Sequence, residues 1–148
     1  MGKAEEFEKL LTRDKRYKRG AYIFVSKALE YAVQRRREEA RVSGESISGP
    51  THVSGQDLCL AVKQCALGQY GFMAGMVLGS MGIHKTEDIG TIVFNMIDVG
   101  LMSKSSSDTF EDFVDLFDLP QELEEGSTML RSPASHIPLK PPGSETLV

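Results

Sequence analysis

SGQDLCLAVKQCALGQYGFMAGMVLGSMGIHKTEDIGTIVFNMIDVGL, residues 54–101, decides the fold class. Ser54 followed by Asp57 has the form of a capping box, with the shorter acid in the second role. Behind it Leu58, Ala61, Val62, Cys65 and Ala66 recur at helical spacing and make one apolar face. Gly68 and Gly71 bracket its exit. Thr86 reads as the cap of a further helix, with Glu87 and Asp88 in the first turn complementing the positive end of the dipole. Its buried stripe is Ile89, Ile92, Val93, Met96 and Ile97, leaving Thr91, Asn95 and Asp98 outward. Gly100 then Leu101 fits a left-handed helix stop with its hydrophobic contact. Between these helices Gly71, Gly75 and Gly79 recur every four residues. An internal helical glycine costs about 1 kcal/mol against alanine, so the spacing predicts another backbone packed on that face. Met73, Met76 and Met81 would fill the irregular space around it.

Working outward, Phe7, Leu10 and Leu11 predict a short first helix ending before Asp14. Ala21, Phe24, Ala28, Leu29, Ala32 and Val33 predict a longer one over about 20–40, whose end carries charges of mixed sign. Residues 42–51 (VSGESISGPT) have turn-forming composition without a period and read as a mobile loop. After Leu101 comes a serine turn at 105–107. Asp108 with Glu111, and Phe110, Phe113 and Phe117, favour a short helix next, with a two-stranded hairpin across the serines as the alternative. From Pro120 onward proline, glycine and serine replace any apolar period, and a chain ending near Glu124 is expected to keep its fold. No internal repeat is visible.

Composition narrows the class of partner. A net charge of −4 in 148 residues gives no global attraction to nucleic acid or anionic lipid. The longest apolar run, 72–83, is shorter than the roughly 20 residues of a membrane span. The first residues, MGKAEEFEKLL, lack the apolar stretch of a signal peptide. Cys59 and Cys65 on one helix would be separated by roughly 9 Å of rise, beyond disulfide reach. The expectation is a cytoplasmic chain with free thiols and no membrane partner.

No constellation of catalytic type emerges. His52, His84 and His136 are far apart, and no pair has zinc-motif spacing. His52, beside a helix start, reads as closing the preceding loop. Asp57 and Asp88 are explained by caps and dipoles, and Asp98 by a solvated helix face. The glycines form neither a Walker loop nor a dinucleotide fingerprint. No cofactor, metal or catalytic residue is therefore expected, and no enzymatic activity. The one cluster of functional appearance is basic: Arg13, Lys15, Arg16, Lys18 and Arg19 interleaved with Tyr17, followed by Arg35, Arg36 and Arg37. Such a segment can grip a nucleic-acid backbone and stack on a base. Its plainer reading is a solvated face balanced by Asp14, Glu38 and Glu39. Three helices followed by a hairpin would resemble a winged helix, yet Glu87, Asp88 and Asp98 on the last helix would repel phosphates.

Four segments together resemble a family of short, uncharacterised bacterial proteins, the Minf-type hypothetical proteins. They are RYKRGAYIFVSKALEYA (16–32), HVSGQDL (52–58), GQYGFMAGMVLGSMGI (68–83) and TEDIGTIVFNMIDVGLMSKSSSD (86–108). The likeness spans about residues 10–118, and IVFNMIDVGL is its most specific string. The family pattern often has tryptophan where this chain has Met81, which puts in question any role for an aromatic there. The resemblance implies a compact cytoplasmic domain and brings no activity, substrate or site residue.

The expected fold is mainly α: one compact helical domain of about five helices over 3–119, winged-helix-like if a small β-hairpin forms near Met102–Phe110, with a disordered tail over 120–148. Its core is expected to hold Phe24, Leu29, Leu58, Val62, Met76, Ile89, Val93, Met96 and Ile97. The expected role is a non-enzymatic interaction module meeting a protein partner or its own copy through methionines and aromatics. The surplus of apolar side chains off the main stripes, Leu60, Leu67, Val77 and Phe94, motivates it. The alternative is RNA or single-strand binding through Arg13, Lys15, Arg16, Tyr17, Lys18 and Arg19.

Overall fold

A computed structural model gives the structure of the protein and describes residues 2–45, 51–103 and 109–131, with side chains placed through Thr128. Among these described residues six α-helices run in the order α1 (Lys3–Arg13), α2 (Arg19–Ser43), α3 (Gly55–Tyr70), α4 (Ala74–Ser80), α5 (Thr86–Asp98) and α6 (Leu119–Arg131). Short 3₁₀ turns, Gly71–Met73 and Phe110–Phe113, precede α4 and α6. The 25-residue α2 packs on α3 and α5; α3 in turn carries α4 and α6.

Caps define most of the boundaries. Asp57 N–H donates to Ser54 Oγ at 3.1 Å while Asp57 Oδ2 accepts from Ser54 N–H, the reciprocal box read from the sequence. Gly100 is left-handed at φ 81°, and Leu101 N–H returns to the Met96 carbonyl at 2.8 Å to close α5. The start of α5 differs from expectation. Lys85 holds the capping position, and the Asp88 carboxylate accepts from the Lys85 and His84 amides. Thr86 lies inside the helix and is fully buried, its hydroxyl accepting from Leu116 N–H.

Of the nine expected core residues, Phe24, Leu58, Val62, Ile89, Val93 and Met96 are buried, and Leu29 and Ile97 pack partly buried against them. Met76 is the exception: it is 68% exposed. The error came from the glycine spacing. A Cβ placed on Gly71 or Gly75 would meet nothing within 4 Å, and one on Gly79 would meet only the His84 ring. No helix therefore lies on that face, and Met73 and Met76 have nothing to fill. Close approach occurs instead at glycines with no such spacing. Gly90 lets the Phe113 ring lie on α5, where a Cβ would sit 2.7 Å from it, and Gly126 lets Leu67 lie on α6.

The winged-helix variant is not supported. Among the described residues there is no strand, and Phe110–Phe113 is a 3₁₀ turn whose Phe113 is buried. The serine turn at 105–107 lies outside the described residues, as does 46–50 of the expected loop. The boundary at 119/120 also falls inside a helix. Asp118 caps α6 by accepting from Gln121 N–H, and Pro120 sits in the first turn, where its missing N–H is harmless. Leu119, Leu123 and Ser127 are buried, and Lys63 Nζ meets Glu122 at 2.6 Å across α3 and α6. The domain thus continues into α6; the expected tail beyond Arg131 lies outside the described residues.

Two stability outcomes follow. Gly82 has φ 100°, and a Cβ there would collide with the Arg16 carbonyl oxygen. Gly82→Ala should therefore cost several times what Gly68→Ala gains, since Gly68 is helical with open space and alanine there should stabilise by about 0.5–1 kcal/mol. Denaturant titration of both variants checks the opposite signs. A chain ending at Glu124 loses the Leu67–Gly126 contact and buried Ser127, and should lose about 1–3 kcal/mol, seen as a lower thermal midpoint by circular dichroism.

Candidate functional site

The basic segment connects α1 to α2, and its side chains are largely spoken for within the fold. Arg16 donates through Nε and an Nη to Asp14 at 2.9 and 2.7 Å, and the Asp14 carboxylate also accepts from the Arg16 amide. Arg13 lies 3.6 Å from Asp98, and Arg19 pairs with Glu8 at 2.7 Å beneath the Phe7 ring. Tyr17 is buried, with its hydroxyl donating to Asp88 at 2.6 Å and its ring edge-on to Tyr22. It offers no face on which a base could stack. Of the cations in this segment only Lys15 and Lys18 lack a carboxylate partner among the described residues.

These groups form a polar clasp between the α1–α2 connection and α5. Asn95, read as outward, is half-buried and donates to Asp14 at 3.1 Å and to the Tyr22 hydroxyl at 3.2 Å. The hydrogen bond from the Arg16 side chain holds the Asp14 carboxyl well below the usual carboxylate range, outweighing the opposing effect of its burial. Burial pushes the Tyr17 phenol upward, and the neighbouring Asp88 carboxylate adds to that shift. The clasp is structural in character: every polar group named has a partner within the fold.

Nucleophiles and ligands are dispersed. Cys59 and Cys65 are free and both lie on α3. Burial pushes the Cys59 thiol up to about 12, which leaves it without thiolate character at neutral pH. Among the described residues no group of three His, Cys, Asp or Glu side chains is placed to hold a metal ion, and no helix is long and apolar enough to cross a membrane.

The surface that stands out is apolar and lies where the sequence predicted core. Phe72 is 67% exposed, Met73 43% and Met76 68%, all within one 3₁₀ turn and the start of α4. The chain turns here at Gly71, φ 56°, which projects Phe72 and Met73 outward instead of continuing the α3 stripe. Ala74 and Leu78 hold the other side of α4 in the core. Between Phe72 and Met76, Gly75 leaves a shallow hollow that continues as a groove of about 370 Å³ toward Leu123, Glu124 and Thr128 of α6. From Tyr70 to Ile83 there is no charged side chain. Leu60, also read as surplus, is exposed on α3, whereas Leu67 and Phe94 are drawn partly into the core.

Comparison with known proteins adds no relative: no family model, no curated protein and no solved structure matches this chain.

The clasp makes a testable demand on pH. A carboxyl whose pKa is lowered on folding contributes stability that is present above its unfolded value, near 3.9, and is lost as pH falls toward the folded value. Asp14→Asn should therefore destabilise by about 1–3 kcal/mol at neutral pH. Urea titrations of wild type and variant should converge as the pH is lowered below 4.

Proposed function

We propose that the chain is a non-enzymatic interaction module that associates with its own copy through the face made by Phe72, Met73 and Met76. The exposure of these three side chains on one short, uncharged stretch carries the reading. Exposed apolar groups scattered singly are ordinary, but a contiguous cluster marks an interaction surface. Methionine and phenylalanine supply adaptable packing and large contact area.

A second copy is the favoured occupant because of charge. A two-fold axis sets one patch against the same patch, so any charge at its centre would face its like. Residues 70–83 carry none, and Gly75 gives the hollow into which the facing Phe72 or Met76 can sit. A stable interface covers about 800 Å² per partner. The three side chains are its centre, and the α6 wall of the groove, with exposed Pro120, Glu124 and Thr128, is the adjoining surface on which it extends, Glu124 falling at the edge. The resemblance to short bacterial proteins is compatible with this role and contributes no activity to it.

Binding of RNA or a single strand through Arg13, Lys15, Arg16, Tyr17, Lys18 and Arg19 draws on less. Its three arginines already have carboxylate partners, and the aromatic that would stack is inside the fold.

Sedimentation velocity across rising concentrations tests the proposal. Wild type should shift from monomer to dimer, and Phe72→Glu with Met76→Glu should remain monomeric at the highest concentration. Both positions are exposed, so far-ultraviolet circular dichroism should be unchanged. A wild-type chain that stays monomeric throughout removes the reading, as does a dimer that the double substitution leaves intact.

A further inference from the structure

A second apolar surface lies on a different side of the molecule and turns inward. α2, α3, α5 and the Phe110–Phe113 turn enclose an open cavity of about 510 Å³, within the size range of small-molecule sites. Leu29 and Val33 of α2, Val93 and Ile97 of α5, and Met102 supply apolar walls. Four of these five are only partly buried: Leu29, Ile97 and Met102 pack on the core, and the apolar surface left over lines the hollow. Thr51 and His52 lie at its rim.

The rim also carries a cation. Leu29, Val33 and Arg37 follow one another at intervals of four along α2, so they share a helix face. Arg37 does not line the hollow itself, but its Nε donates to Thr51 Oγ1 at 2.9 Å, which sets the guanidinium beside a residue of the rim. Among the described residues Arg37 has no carboxylate partner, although its neighbours do: Arg35 with Glu39, Arg36 with Asp57, Arg41 with Glu38. On the adjoining rim Asp112 accepts from Thr109 N–H, its capping partner. From Leu29 to Arg37 the helix rises about 12 Å, the length of a medium alkyl chain.

We propose that this cavity binds a free aliphatic carboxylate of medium chain length, with the chain along Leu29, Val33 and Ile97 and the carboxylate at Arg37. The apolar walls gain by excluding water. The guanidinium matches a carboxylate in both charge and fork geometry. An uncharged alcohol of the same length would fill the cavity without using Arg37. The site is independent of the self-association face.

Decanoate, kept below the concentration at which it forms micelles, tests the site by calorimetric titration into the full chain, with decan-1-ol as the uncharged comparison. Decanoate should bind saturably at one per chain. Arg37→Gln, at an exposed position, should weaken decanoate about tenfold and leave decan-1-ol unchanged. Val33→Trp should fill the hollow and abolish binding of both, with circular dichroism confirming that the variant is folded. Absence of saturable decanoate binding overturns the proposal, as does equal decanoate affinity in wild type and Arg37→Gln. Binding seen only with anionic phospholipid vesicles would place Arg37 at a lipid surface and overturns it too.

Discussion

The fold depends on walling in α5. Of its thirteen residues only Asp98 is exposed, so the helix needs partners on every side. α2 covers one side, where Asn95 meets the Tyr22 hydroxyl and Ser26 Oγ meets the Met96 sulfur, and α3 packs on it as well. The remaining side is closed by the second 3₁₀ turn, whose Phe113 ring rests on Gly90. No residue with a Cβ fits at that position without moving the ring. The requirement also explains why Thr86 is buried and bonded to the Leu116 amide. The chain after the 3₁₀ turn is stitched to the first turn of α5 before α6 begins.

Local capping groups perform a second task in this arrangement. Asp88 satisfies the amides at the start of α5 through one carboxylate oxygen and receives the Tyr17 hydroxyl through the other. Asp14, at the end of α1, receives Arg16 and Asn95 together. Each carboxylate therefore joins a helix end to a distant segment. A buried polar group is costly to leave unpaired, so the clasp specifies one orientation of the α1–α2 connection on α5. Gly82 works to the same end by allowing the α4–α5 turn to approach the Arg16 carbonyl, and Lys18 N–H then reaches the Met81 carbonyl.

What the sequence made legible was local. The Ser54–Asp57 box, the Gly100 stop and the stripe of α5 depend on residues within one or two turns of each other, and spacing reports them directly. Tertiary choices were not legible by those means. Gly75 and Gly90 look alike in sequence, yet one faces open space and the other a phenylalanine twenty-three positions away in the chain. Pro120 reads as the start of a tail because proline, glycine and serine replace an apolar period from there on, but after a capping aspartate it belongs to a first turn. The basic segment showed charge clearly and concealed that its aromatic would be consumed by the core. Met76 is placed inward by the glycine spacing, which predicts a backbone packed on that face and a gap for methionine to fill. Gly71 marks the exit of α3 in the sequence, but nothing in residues 71–80 reveals that the turn leaves Phe72, Met73 and Met76 outward.

The glycines bear on what the exposed face is for. A helical glycine with no close neighbour lowers stability by about 1 kcal/mol and gains nothing within the chain. Gly75 is such a residue, and it stands between Phe72 and Met76, the two most exposed side chains of the cluster. An alanine there would stabilise α4 and fill the hollow. Under the proposed self-association, atoms of the facing copy would enter this hollow, and close approach to backbone is a property alanine cannot supply. Apolar neighbours and an unfilled hollow thus coincide at one place on the surface, with exposed Glu124 on the α6 wall. Each alone is ordinary; under the proposed self-association a facing copy would account for both.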